Sequence, residues 1–143
     1  MFNYAEVFSK LTYETAIITF LKKDGTVRIM LATRNLDTVA LENGYQGNRL
    51  GGHDNRCNIK NGNLAVFDLV LGDTRAFNIE RVLDIRYCGV VSFKEQLDQI
   101  MAGYKQYSDA YMANYNMSLN MDTFDTPDIK VDINASIGNG GLI

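Results

Sequence analysis

Two stretches and one set of basic residues in this sequence have types and spacings that bear on chemistry. His53, Asp54 and Cys57 share the run Gly51-Gly52-His53-Asp54-Asn55-Arg56-Cys57. A thiol nucleophile needs a base within hydrogen-bond reach and a group that orients the base, and closeness in sequence supplies neither. The run reads as a loop that collects polar residues, and no catalytic residue is assigned, so no enzyme activity is expected. One His and two Cys fall short of the four close-spaced ligands of a structural zinc site, and Cys57 with Cys88 makes no disulfide framework. No metal and no cofactor is expected. Residues 44–52, with Gly47-Asn48-Arg49-Leu50-Gly51-Gly52, have the backbone freedom to wrap a phosphate and Arg49 to pair with it. They lack the ending of a P-loop and the glycine spacing of a dinucleotide fingerprint, so a mobile loop is the expectation there.

The arginines are more persuasive. All seven (Arg28, Arg34, Arg49, Arg56, Arg75, Arg81 and Arg86) fall within one window of 59 residues. The guanidinium fork suits phosphate, and Arg28, Arg34, Arg75 and Arg81 with Lys22 and Lys23 are candidates to converge on one rim. The alternative is that each pairs with a neighbouring acid, among Asp24, Asp68, Asp73, Glu80 and Asp84. Net charge is −3 and the isoelectric point about 5.1, which excludes a strongly basic nucleic-acid binder. The charge is unevenly spread: residues 1–93 stand at +1 and residues 94–143 at −4.

These residues need elements to hold them, and 143 residues with 46% hydrophobic content allow one domain with a sizeable core. Residues 4–11 place Tyr4, Val7, Phe8 and Leu11 at helical spacing. Residues 15–21 and 26–33 are rich in β-branched and apolar types, and Asp24-Gly25 between them predicts a tight hairpin turn. Residues 35–63 read as a long glycine- and asparagine-rich loop, with one helical turn over 37–41 that Asp37 would cap. Strands follow over 64–71, 74–79 and 82–91, with Gly72-Asp73 as a turn. Five short strands with no long helix between them predict an α+β chain built on a small antiparallel barrel or a strongly bent sheet, not a parallel α/β fold.

The final helix carries its own start signal. Ser92-Phe93-Lys94-Glu95 has the form of a capping box. Phe93, Leu97, Ile100, Met101, Tyr104, Tyr107, Tyr111, Met112 and Tyr115 then recur at spacings of three and four. Tyr104, Tyr107, Tyr111 and Tyr115 are candidates for a partner-binding face, since Tyr is enriched at interfaces, and the alternative is that the stripe lies on the barrel as core. The expected organisation is a barrel with its N-terminal helix over 1–93, an amphipathic helix over 94–115 and an acidic, flexible tail over 116–143. Within that tail, residues 129–133 alternate like an edge strand. No run approaches the roughly 18 apolar residues of a membrane span, and a cytoplasmic location is expected.

Two segments also carry a family resemblance. Phe20-Leu21-Lys22-Lys23-Asp24-Gly25-Thr26-Val27-Arg28 with Met30-Leu31-Ala32-Thr33, and Val66-Phe67-Asp68-Leu69 through Arg75-Ala76-Phe77-Asn78-Ile79-Glu80-Arg81-Val82, resemble the small SH3-like β-barrel proteins of tailed bacteriophages. That family is related to the Sm-like barrel of WYL domains, whose motif ends in an Arg, Phe, Arg pattern similar to Arg75, Phe77 and Arg81. The resemblance covers residues 15–90. It implies a small SH3/Sm-like antiparallel β-barrel that serves as a docking module for a ligand, nucleic acid or protein, with Arg75 and Arg81 as ligand contacts.

Two functions are therefore expected, neither catalytic. The first is a phage accessory protein, working in the host cytoplasm, that docks on a host or phage protein through the tyrosine helix, the tail or both and modulates it. The second is a nucleic-acid or nucleotide-phosphate binder using Lys22, Lys23, Arg28, Arg34, Arg49, Arg75, Phe77 and Arg81. Pairing of identical tyrosine faces would also permit a homo-oligomer through the C-terminal helix.

Overall fold

A computed structural model describes residues 2–45 and 57–122, with side chains through Asn116. The first helix, α1 (Tyr4–Tyr13), begins where the Asn3 side chain accepts a hydrogen bond from the Glu6 backbone N–H at 3.0 Å, and it buries Val7 and Leu11. The strands β1 (Thr15–Leu21) and β2 (Val27–Thr33) form the expected hairpin. In its turn Asp24 Oδ1 accepts from the Thr26 backbone N–H at 2.9 Å and from the Thr26 hydroxyl at 2.6 Å. Gly25 takes φ 86°, a conformation that glycine adopts without Cβ strain.

The next strands are β3 (Asn63–Asp68), β4 (Asp73–Asn78) and β5 (Val82–Gly89), with a single 3₁₀ turn, Ile79–Arg81, between the last two. They make one antiparallel sheet in the order β4-β3-β2-β1-β5. All seven residues of β1 are buried, because this interior strand is covered on both faces. On one face Ala16, Ile18 and Phe20 join Met30, Leu64, Val66 and Phe77 under Val7 and Leu11 of α1. On the other, Ile17 joins Ile29, Leu31, Ala65 and Phe67 under Leu97, Tyr111 and Tyr115 of the second helix, α2 (Lys94–Asp122).

The sheet does not close. β2 and β3 share only the register pairs Ala32↔Asp68 and Thr33↔Phe67, and the two strands diverge beyond them. Arg34 bridges the divergence: its guanidinium donates to the Ala65 carbonyl and, at 3.3 Å, to Cys57 Sγ, and it stacks over the Phe8 ring.

Several boundaries differ from the sequence expectations. The strand expected over 64–71 ends at Asp68, because Asp68 Oδ1 accepts from the backbone N–H groups of Val70 and Leu71, both at 3.0 Å, and turns the chain. The turn expected over 37–41 is a π-type turn at Leu36–Ala40, and its Asp37 caps nothing. The capping box does not form. α2 starts at Lys94, one residue past the position the box requires, so Gln96 reaches back instead and its Oε1 accepts from Ser92 N at 2.7 Å and Phe93 N at 3.3 Å. α2 also runs past Tyr115 to Asp122, 29 residues in all, or roughly 44 Å at the usual helical rise. The expectations for residues 46–56 and 123–143, including Arg49, His53 and the edge-strand pattern over 129–133, lie outside the described residues.

Candidate functional site

A groove of about 830 Å³ opens at one end of the sheet, between the β1–β2 hairpin tip and β4. The hairpin supplies Phe20, Leu21, Lys22, Lys23 and Arg28; β3 supplies Asn63; β4 supplies Thr74, Arg75, Ala76, Phe77 and Asn78; the 3₁₀ turn supplies Arg81. Register explains the grouping. Phe20 pairs with Arg28 across the hairpin and Leu64 with Phe77 across β3–β4, and these positions share one face of the bent sheet. Five of the lining residues are cationic and none is a carboxylate.

The floor is aromatic. The rings of Phe20 and Phe77 lie 5.7 Å apart, and the two side chains are 5% and 4% exposed. Phe77 therefore shapes the groove from below and offers no free face on which a base could stack. Arg81 Nη1 donates to the Lys22 carbonyl at 3.1 Å, which ties the 3₁₀ turn to the hairpin tip and holds one end of the groove. Lys22 Nζ lies 3.9 Å from Asp24 Oδ2, an exposed ion pair of little energetic weight, and Lys23 is exposed. Arg75 Nε lies 3.3 Å from Asp68 Oδ2.

The structure thus gathers Lys22, Lys23, Arg28, Arg75, Phe77 and Arg81 of the expected set. It leaves Arg34 out, as the bolt between β2, α1 and β3 described above. Cys57 belongs to that bolt, since its Sγ accepts from Ala65 N at 3.2 Å. The expectation that arginines pair with neighbouring acids holds for Arg75 with Asp68 and for Arg86 with Asp84.

The expected tyrosine face is turned inward. Tyr104 donates its hydroxyl to the Ile29 carbonyl at 3.0 Å, and Tyr107 donates to Asp84 Oδ2 at 3.2 Å beneath the Arg86 guanidinium. Tyr111 and Tyr115 are 5% and 1% exposed, with rings stacked 6.5 Å apart. Burial pushes both of their hydroxyls up to about 12. A sheet needs a cover for its second apolar face, and α2 supplies it with the stripe that would otherwise have faced a partner.

One contributor went unnoticed in the sequence. Asn78 caps the 3₁₀ turn by accepting from Glu80 N at 2.9 Å and donates to the Asn61 carbonyl at 2.7 Å, so it positions Arg81. An Asn two residues before an acid at a turn was the available signal. Asp68, among the acids expected to pair with an arginine, meets its particular partner Arg75 through the pairing of β3 with β4.

A helix, an open antiparallel sheet of five strands and a second helix define a small Sm-like β domain. The family model described as WYL_2, Sm-like SH3 beta-barrel fold, matches residues 5–83, and the chain belongs to this family. The match contains the whole groove and ends before α2. No curated protein and no solved structure matches the chain. No described helix is long and apolar enough to cross a membrane.

Proposed function

We propose that this protein is a non-catalytic binding module whose groove takes phosphate-bearing ligands, single-stranded nucleic acid foremost. The observation that carries the reading is the convergence of Lys22, Lys23, Arg28, Arg75 and Arg81 on one groove without a lining carboxylate, in a chain of net charge −3. The groove's size lies in the ordinary range for ligand sites, roughly 300–1,000 Å³. With the floor phenyl rings buried, affinity rests on phosphate contacts, and such contacts position a strand without reading its sequence. Binding must then fall with salt, with a log–log slope of roughly −0.7 for each phosphate neutralised. Fluorescence anisotropy of a labelled oligothymidylate across a salt series tests this, and absence of binding at low salt overturns it.

A second reading is the phage accessory role, docking on a host or phage protein. Its support is the resemblance to small phage barrels and the exposure of Val90 (56%) and Phe93 (58%) where β5 passes into α2. A bacterial partner that co-purifies with the wild type and is lost from Phe93→Ser is the expected outcome under that reading.

A further inference from the structure

Asp68 closes β3 immediately behind the groove. It is 6% exposed, and Oδ1 is held by the Val70 and Leu71 backbone N–H groups. Its Oδ2 lies 3.3 Å from Arg75 Nε, a buried nitrogen that makes no hydrogen bond. The pair is thus close in charge but not locked in geometry. We propose that Asp68 is a built-in counter-charge that competes with the ligand's phosphate for Arg75, so that it sets both the strength and the pH dependence of binding in the groove.

This rests on the phosphate reading above. Burial raises the Asp68 carboxyl from its ordinary value, against the opposing effects of the two backbone N–H groups and Arg28. The groups that face it are Arg75 of β4, its register partner Asp73 at the start of β4, Arg28 of β2 and, through its hydroxyl, Tyr104 of α2. Protonation neutralises Asp68 and removes the attraction that draws Arg75 away from a ligand. Affinity therefore rises as pH falls toward the carboxyl's raised value. A phosphodiester stays ionised across that range, so the change belongs to the protein.

Asp68→Asn isolates the charge, because Asn keeps an oxygen for the Val70 and Leu71 N–H groups. Full-length wild type and Asp68→Asn are titrated against labelled oligothymidylate between about pH 7.5 and about pH 5. Removing one charge a few ångströms from the phosphate predicts roughly fivefold tighter binding by Asp68→Asn at the higher pH. Wild type tightens as pH falls, and the variant stays flat. Asp68→Asn binding no tighter than wild type, or a wild-type affinity unchanged with pH, overturns the proposal while leaving the groove reading intact. Failure of the wild type to bind at all overturns both.

Discussion

Tyr104 on α2 donates its hydroxyl to the main-chain carbonyl of Ile29 on β2, 75 residues earlier, at 3.0 Å. That carbonyl lies on β2 ahead of the two residue pairs that join it to β3. The helix therefore supplies a partner to a strand edge that the sheet leaves open. Tyr104→Phe deletes the donor and leaves the carbonyl short of a bond. A loss of about 1 kcal/mol is expected in urea unfolding, with little change in the denaturant slope.

Tyr111 and Tyr115 predict an alkaline signature. Their hydroxyls are raised to about 12 from the ordinary 10.0, so the folded state disfavours both phenolates. The stability linked to them is fully present below pH 10 and is lost as pH rises through about 12. Phenolate absorbance during a pH titration should show these two appearing late, as the protein unfolds. A single transition of all eight near 10 would contradict this burial.

Removing the Tyr115 hydroxyl should not destabilise the protein. Its oxygen is buried with no hydrogen-bond partner, so Tyr115→Phe relieves a desolvated polar group of order 1–3 kcal/mol while keeping the ring. Tyr115→Ala, by contrast, opens a cavity in the core and costs about 3–5 kcal/mol. Thermal unfolding of the two variants should move in opposite directions.

Arg34 and Arg28 should separate folding from binding. Arg28 lines the groove, so Arg28→Ala weakens oligothymidylate binding and lowers the salt slope by roughly 0.7. Arg34 bonds Ala65 and Cys57 away from the groove, so Arg34→Ala costs about 1–3 kcal/mol of stability through the unpaired carbonyl and leaves the slope unchanged. Parallel anisotropy and urea titrations decide the matter.

The start of α2 offers a local test. Gln96 caps Ser92 and Phe93, and Glu95 is exposed. Gln96→Ala should cost about 1 kcal/mol, and Glu95→Ala only the few tenths of a carboxylate near a helix N-terminus. Equal losses in chemical denaturation would restore the Ser92–Glu95 capping box.

What the sequence determined by itself is what local geometry controls. Asp24-Gly25 defines the hairpin because one carboxylate and one positive φ suffice for its turn. The apolar spacing marks α1, the five strands and the helix after them, since burial period follows from backbone geometry. The segment from Arg75 to Arg81 placed the candidates Arg75, Phe77 and Arg81 of the groove on one short stretch. Tertiary structure alone decided the rest. Arg34 and Arg75 look alike in sequence, yet the divergence of β2 from β3 takes Arg34 into a bolt and leaves Arg75 beside Asp68. The tyrosine stripe has the same period whether it meets a partner or its own sheet. It faces inward because the second apolar face of the sheet had to be covered, and burial of that face outweighs leaving the rings in water.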